Sequence, residues 1–582
     1  MSDKVAELTS LLQQDNEAAW VHHLWDTYNK QRNPVITEWL ELRDYLFATD
    51  TSKTSNSSLP WKNSTTTPKL CQIRDNLHSN YRSSLFPNDN WLVWRGYDRQ
   101  DATREKAKAI EAYMANKCRE GHFRQEVSKL LYDYIDYGNA FATVSFEANY
   151  KVSDSGERIP DYIGPRLVRI SPLDIVFNPL ATTIKDSWKI VRSVKTVGEL
   201  KKLAATNPDQ SFWKGVVDKR EALRARLAGY SYEDVQKAQG YQVDGFGNLY
   251  EYYSSNYVEI LEFFGDYHDE GTGDLQTNRI LTVVDRSTLV RNVEIPNWFG
   301  HVPIYHVGWR LRPDNLWAMG PLANLVGMQY RIDHLENLKA DAMDLVVHPP
   351  LAIIGEVEGT EWGPGAQFFL DEGGSIQEIS KSLNGIITAN QEIQLYEEKM
   401  EVYAGAPKQA MGIRTPGEKT AFEVQSLDNA AGRIFQEKVT TFETELLEPS
   451  LNAMLEVAYR NMDGSDVIRV MDDDLGIEVF QTIVKADITA SGKLRPIGAR
   501  HFAKQAQDLQ NVIGVFNSPI AQLIAPHTSA IALTRFVEDV TGIKGYDIFQ
   551  PNVAIFEQKE TQGLINQGQE DLMVEQQVPV QQ

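Results

Sequence analysis

Residues 412–420, Gly-Ile-Arg-Thr-Pro-Gly-Glu-Lys-Thr, come closest to a catalytic motif. A phosphate-cradling loop needs G-x-x-x-x-G-K-[ST] after a buried strand. Here Glu418 stands between Gly417 and Lys419, putting a carboxylate where phosphate oxygens would lie, and the segment follows a helical pattern. Nucleotide binding is therefore not expected. Leu281–Asp285 imitates a strand presenting a magnesium-binding aspartate, but it sits upstream in a β-meander and reads as an ordinary strand end. His22 and His23 are adjacent on a helical pattern and aim in different directions, while His301 and His306 are five apart in a β region. Neither pair has metal-site spacing. Cys118 and His122 flank Gly121, which breaks the helix that would align them, so Cys118 reads as a small buried residue. Asp472-Asp473-Asp474 reads as a solvated turn. Asp333, Asp341 and Asp344 share one helical face with Asn337. That face could hold two metals for nuclease chemistry, could be the wet side of an amphipathic helix, or could line a channel. The expectation is a protein that is not an enzyme and has no cofactor and no metal.

The scaffold that would position these residues is large. Its 582 residues correspond to roughly three or four domains, or to one elongated subunit. Hydrophobic residues make up 42% and charged residues 24%, enough to bury real cores. The 80 acidic against 58 basic residues leave a formal charge of -22, which disfavours tight, general gripping of nucleic-acid phosphates. It remains compatible with DNA that must slide past without sticking. Two cysteines, Cys71 and Cys118, cannot build a disulfide framework or a zinc site. The opening MSDKVAELTSLLQQ lacks the pattern of a secretory signal, and no run of about 18 apolar residues exists to span a membrane.

Along the chain, residues 6–48 read as helix with a break at Pro34, followed by an exposed Ser/Thr/Asn-rich loop, 51–69. Helices follow over 70–85 and over 101–137, the latter split at Gly121 and ending at Gly138-Asn139. Phe141–Glu147 alternates as a strand leading to a hairpin near 154–158, and 167–179 reads as strand, turn, strand. Residues 195–228 are helical with an interruption, and 257–309 form an antiparallel meander. Gly320-Pro321 opens a long helix with proline at its first position, running to Val347 before Pro349-Pro350. Its seam is Leu325, Met328, Ile332, Leu335 and Ala342. A glycine-dense β insert (351–382), a helix (389–403), a loop (405–420), a helix to Met462 with Pro449 inside it, a β segment (475–490), a mostly helical stretch (499–541) and a glutamine-rich tail complete the pattern.

Several of these phrases, in this order, resemble the portal (head-to-tail connector) family of tailed bacteriophages, especially short-tailed ones. They are LFPNDNWLVW (85–94), LLYDYIDYGNAFATV (130–144), the helix 320–345 with Leu335-Glu336-Asn337, IRTPGEKTAFEV (413–424) and ITASGKLRPIGAR (488–500). The likeness covers about Leu70 to Arg500. It implies an α+β, mainly helical fold with long stem helices, a β-rich wing part and a small α/β clip, assembled as a ring of about twelve copies. The wing would be 1–316, continued in 420–499; the stem helices 317–347 and 388–404; the clip 348–387; the tunnel loop 405–419; a crown 500–558; and a flexible tail 559–582.

The resemblance further implies a channel at one capsid vertex through which double-stranded DNA is packaged and ejected. The partners would be the large terminase motor, tail adaptor proteins, and the major capsid and scaffolding proteins, with no membrane. The subunit would be made in the host cytoplasm and reside in the virion. Lys408, Arg414 and Lys419 would be the tunnel-loop cations; Asp333, Glu336, Asp341 and Asp344 would line the channel from the stem; and Glu356, Glu358, Trp362, Asp371 and Glu372 would carry the docking surface of the clip. The alternatives are another tail or baseplate structural protein, or a packaging-motor ATPase.

Overall fold

The computed structural model describes residues 15–59, 61–87, 91–98, 104–152, 158–206, 211–227, 256–268, 273–295, 301–355, 357–358, 369–370, 373–378, 384–404, 433–462, 464–471 and 478–496. The chain is mixed α+β with several small sheets. It divides into two compact units: residues 1–82 with 121–458, and residues 83–120 with 459–582. The crown and tail expected at 500–582 lie outside the described residues.

In the larger unit, helices α1 (Asn16–Gln31) and α2 (Asn33–Phe47) meet at Arg32, with Pro34 in the first turn of α2. The break is held from the side. Arg32 is buried, and its guanidinium donates to the carbonyls of Pro172 and Ile175 at 2.7 Å and of Leu173 at 2.5 Å. Burial pulls this guanidinium down to about 10. Helix α3 (Lys69–Leu85) follows, straddling the unit boundary.

The smaller unit holds strand β1 (Leu92–Gly96) and helix α4 (Arg104–Glu120). Two widely separated phrases meet here, for β1 pairs antiparallel with the late strand β18 (Gly492–Pro496). Gly492 faces Gly96 in that register, and a Cβ on it would come 2.4 Å from the Trp94 ring and 2.5 Å from the Arg95 carbonyl. Lys117, almost fully buried, pairs with Asp466 at 2.6 Å.

Helix α5 (Phe123–Asp136) returns to the larger unit and ends at Gly138 in the left-handed region. Strands β2 (Asn139–Val152) and β3 (Arg158–Ile170) form a long hairpin. Strand β4 (Ile175–Phe177), β5 (Lys189–Thr196), helices α6 (Val197–Thr206) and α7 (Trp213–Leu227), and strands β6 (Tyr257–His268), β7 (Leu275–Val284) and β8 (Thr288–Glu294) build a five-stranded antiparallel sheet in the order β4-β5-β6-β7-β8. The expected meander is therefore present, but its last member, β9 (Ile304–Gly308), leaves it and pairs with β2. Helix α1 packs on this sheet through Ala18, Val21 and Trp25. A second core gathers Trp39, Phe141, Phe177, Ile304 and Trp317 between the sheets.

The β7–β8 turn carries Asp285 (φ 51°) and Arg286 (φ 57°), both non-glycine residues in the left-handed region. Buried ion pairs hold them there. Asp285 accepts from Arg220 at 2.9 Å, and Arg286 donates to Glu259, itself fully buried, at 2.7 and 3.0 Å. Asp285→Asn keeps a residue that tolerates this backbone and removes only the charge partner of buried Arg220. It is expected to cost about 2 kcal/mol in urea unfolding, because it takes the charge partner from an almost fully buried guanidinium.

After β10 (Arg310–Arg312) and β11 (Asn315–Met319) the long helix begins later than the proline suggests. Pro321 lies in a bend, a 3-10 turn occupies Ala323–Leu325, and α8 runs Val326–Val347. The reason is local. Leu322 and Leu325 are buried in that turn, and Gly320 is committed to a close backbone approach with α5. Strand β12 (Leu351–Ile354) pairs with β15 (Ser375–Glu378), and β13 (Val357–Glu358) with β14 (Phe369–Leu370), as the β insert requires. Helix α9 (Asn384–Tyr403) starts four residues earlier than the 388 boundary expected. Helices α10 (Arg433–Phe442) and α11 (Glu448–Asn461) flank a π-helical turn, Glu443–Leu447. That wide turn immediately precedes Pro449, whose missing N–H cannot continue the regular ladder. Strands β16 (Ser465–Met471) and β17 (Glu478–Val484) form a hairpin, and a short helix, α12 (Lys485–Ile488), leads to β18.

Candidate functional site

Helix α8 carries its acids and amides at positions 329, 333, 337, 341 and 344, one per turn on a single face. Of the seam beside them, Leu325 and Ile332 are fully buried, Leu335 nearly so, and Met328 and Ala342 half-buried. The polar face is not wet at its start. Residues 50–59 and 61–67, from the Ser/Thr/Asn-rich segment, lie along it as a strap. Asp50 opens the strap by accepting from Ser52 N–H at 2.9 Å and bridges to Thr65 across its two limbs. Thr51, Thr54, Asn56 and Thr66 are buried, which corrects the expectation of an exposed loop.

Each turn of the helix engages its own stretch of strap. Gln329 accepts from Leu70 N–H at 3.1 Å and donates to Thr67 C=O at 2.5 Å and to Asp333 at 2.8 Å. Asp333 accepts from Thr67 N–H at 2.9 Å and from the Asn56 amide at 3.4 Å. Asn337 exchanges both of its amide bonds with the Thr65 backbone at 2.9 Å, as a paired strand residue would. Asp341 accepts from Lys62 N–H at 3.2 Å and Asn63 N–H at 3.0 Å, and Asp344 accepts from the Asn63 side chain at 3.1 Å. Trp61 lies with its ring centroid 5.3 Å from that of His334. A Ser/Thr/Asn segment is rich in groups that satisfy its own backbone, so it can run without regular structure. The helix supplies acceptors for the donors left over.

Asp333 is therefore placed where it cannot line a channel: it has no exposed surface and faces the strap. Burial without a cation raises its carboxyl to about 7, with Glu336 adding to the rise and the bonds from Thr67 and Gln329 opposing it. Glu336 is half-buried and pairs with Lys339 at 2.5 Å. Asp341 is half-buried, with its carboxyl held below the usual range by the donors from Asn63 and Lys62, which outweigh its desolvation. Asp344 is exposed.

Neither a protein-family model nor a curated protein matches this chain. The functional reading accordingly rests on the residues themselves.

Helices α8 and α9 pack as an antiparallel pair, with the β12–β15 ladder following one end of α8 and leading into α9. Arg331 pairs with Glu392 at 3.1 Å, and the buried Lys69 and Glu401 join at 2.7 Å, linking the end of the strap to the end of α9. Of the sites expected in the clip, Glu358 lies in β13 opposite Phe369, while Glu356, Trp362, Asp371 and Glu372 lie outside the described residues, as do Lys408, Arg414 and Lys419. Asp472, Asp473 and Asp474 lie there too.

The remaining chemical candidates have structural partners. His306 is half-buried and stacks on Phe141, ring centroids 4.5 Å apart, and donates to the Asn139 side chain at 3.0 Å; desolvation lowers it to about 3 and keeps it neutral. Cys118 is buried, and Cys71 is half-buried with burial raising its thiol. Among the described residues no group of three or more His, Cys, Asp or Glu is arranged to hold a metal ion, and no helix is long and apolar enough to cross a membrane. What sequence reasoning missed is the strap. The amide and acid spacing on α8 announced a polar ladder, but nothing in residues 50–67 named α8 as its partner.

Proposed function

We propose that this chain is the subunit of a portal-type ring, about twelve copies surrounding a channel through which double-stranded DNA is packaged and later ejected. The observation that carries this reading is the set of aliphatic side chains left exposed by the α8–α9 pair. Leu338, Met343, Val347, Ile387, Leu395 and Val402 all stand exposed along the two helices, Val347 at 64% and Val402 at 63%. Two adjacent helices that leave this many aliphatic side chains in water call for a partner surface. A second copy of the same helix pair supplies one, and head-to-tail repetition of such a contact closes into a ring.

On this reading the hairpin is the stem and the β insert at its end is the clip, which meets the packaging motor first and tail adaptor proteins afterwards. The strap takes up the inner part of the polar face, so Glu336, Asp341 and Asp344 are the acids that remain near the surface to repel phosphates in the bore. Lys408, Arg414 and Lys419 give weak, salt-screened contacts to the duplex. The motor hydrolyses the ATP; the ring does no hydrolytic work and sits in the virion at the portal vertex. The motor-ATPase alternative gains nothing from the described strands, whose pairings are all antiparallel.

Negative-stain imaging of the purified chain tests the proposal. Rings of about twelve with a central hole are expected, and Val347→Glu with Val402→Glu should convert them to monomers with unchanged circular dichroism. Trimeric spikes would favour a tail or baseplate protein. Monomers of the unmodified chain at micromolar concentration would overturn the ring.

A further inference from the structure

A cleft of about 400 Å³ opens in the larger unit between α2, α3, α5 and the end of β3. It is within the size range of small-molecule sites. Four cations line it, Arg43, Arg74, Lys129 and Arg169, against two carboxylates, Asp133 and Asp136. In a chain of formal charge -22 this is a local excess of positive charge. Aromatic faces from Phe47, Tyr132 and Tyr137 complete the lining.

The two carboxylates are already committed. Asp136 receives both arms of Arg74 at 2.7 and 2.8 Å, and Asp133 receives both arms of Arg169 at 2.5 and 2.7 Å. Arg74 also lies over the Tyr132 ring, 4.1 Å from its centroid, and 5.4 Å from that of Phe47. These pairs form a fixed floor. The cations left to act are Arg43, exposed and with no hydrogen bond or ion pair among the described residues, and Lys129, whose only such partner is the surface pair to Glu126. Surface pairs of that kind exchange readily for a stronger anion.

We propose that this cleft binds a phosphate monoester carried on a flat ring, a nucleoside monophosphate in size and chemistry, with the phosphate on Arg43 and Lys129 and the ring against the exposed face of Phe47, since His78 and Arg74 already cover the two faces of Tyr132. Two cations from separate helices suit a dianion better than a single carboxylate. Aromatic side chains beside an anion site suit a planar base.

Proton uptake at the floor should strengthen binding of an anion whose own charge stays fixed. Asp133 faces Arg169 from β3 and, on its own helix, Asp136 and Tyr137; Asp136 faces Arg74, Asp75 and His78 from α3. Burial outweighs these partners and raises Asp133 to about 6 and Asp136 above the usual carboxylate range. As pH falls through that value, Asp133 loses its charge while Arg169 keeps its own, so the cleft becomes more positive.

Isothermal titration of the full chain with adenosine monophosphate tests this. Saturable one-site binding is expected, weakened about tenfold or more by Arg43→Ala, a change at an exposed side chain that should leave the melting temperature unaltered. For inorganic sulfate, whose own charge does not change over this range, affinity should rise about three- to tenfold from pH 7.5 to pH 5.5, and Asp133→Asn should remove that rise. If that variant fails to fold, the pH dependence of the unmodified chain decides alone. Inorganic phosphate should bind more weakly than the nucleotide. No binding of either, equal binding to Arg43→Ala, or binding of an acidic peptide in place of the nucleotide would overturn the proposal.

Discussion

Asp333→Ala is expected to destabilise the larger unit by about 3 kcal/mol and to free the strap, whereas Asp333→Asn is expected to leave the strap docked and to stabilise the protein above neutral pH. The difference lies in what each variant does with three buried donors. Alanine leaves Thr67 N–H without an acceptor, and the Gln329 amide with the Thr67 carbonyl alone, at a position with no access to water. Asparagine keeps one oxygen, and both of those donors already converge on the same carboxylate oxygen. Its new NH₂ faces Asn56, whose own amide oxygen is buried without a partner and can turn to accept. The sign of the pH effect follows from the raised carboxyl. The folded state holds the Asp333 proton up to about 7, while the unfolded chain releases it near 3.8. The contribution is full below 3.8 and is lost as pH rises to about 7, on the order of 4 kcal/mol over the whole window. Chemical denaturation at pH 5 and pH 8 should show the part of that loss lying above pH 5, on the order of 2–3 kcal/mol, in the unmodified chain and not in Asp333→Asn. Trypsin supplies the structural readout, because Lys53 and Lys62 lie in the strap. The alanine variant should be cut there early. Protection equal to that of the unmodified chain would mean that the strap is held by its ends alone.

The sequence carried the helix pair, the β insert between its members and the polar ladder, because each depends on local periodicity or on glycine and proline. It did not carry the use of the ladder. Asp341 and Asp344 sit at the spacing of any wet helix face, and only the arrival of Lys62 and Asn63 from nearly 280 positions away distinguishes them. The start of α8 lies past Pro321 for a related reason. Pro321 has the dihedral preference of a first helical turn, but the demand of Gly320 for contact with α5 overrides it. Pairing of β1 with β18 could not be read from either strand, since both are short and neither alternates cleanly; yet the glycine at 492 records it, there being no room beside Trp94 for anything larger. Non-local contacts write themselves into sequence chiefly as small residues and as buried polar groups, and both are ambiguous until the partner is known.

Gly138→Ala is expected to have the largest effect of any single methyl in the described chain, beyond about 4 kcal/mol and sufficient to prevent accumulation of folded protein. Gly138 sits at the end of α5 with φ +71°, a conformation that costs an L side chain about 1 kcal/mol or more by itself. Its Cβ would then lie 2.3 Å from the Gly320 nitrogen and 2.4 Å from the Met319 carbonyl carbon, both backbone atoms with no freedom to swing away. The next residue locks the same junction. The fully buried Asn139 donates to the Tyr137 and Ala318 carbonyls at 2.8 Å and accepts from Ala318 N–H at 2.9 Å and His306 at 3.0 Å. Residues 318–320 are thus fastened to the end of α5 immediately before the turn that launches α8, so the origin of the long helix is set here. Two further alanines calibrate the expectation by thermal melting. Gly320→Ala meets the Ile135 carbonyl at 2.9 Å and Gly138 N at 3.1 Å, a milder conflict expected to cost about 2 kcal/mol. Gly327→Ala, in the first turn of α8 with nothing within 4 Å of its added Cβ, should stabilise by up to about 1 kcal/mol. The order 138, 320, 327 tests backbone approach against simple glycine propensity. If all three alanines stabilised alike, the close contact between the end of α5 and the start of the long helix would not exist.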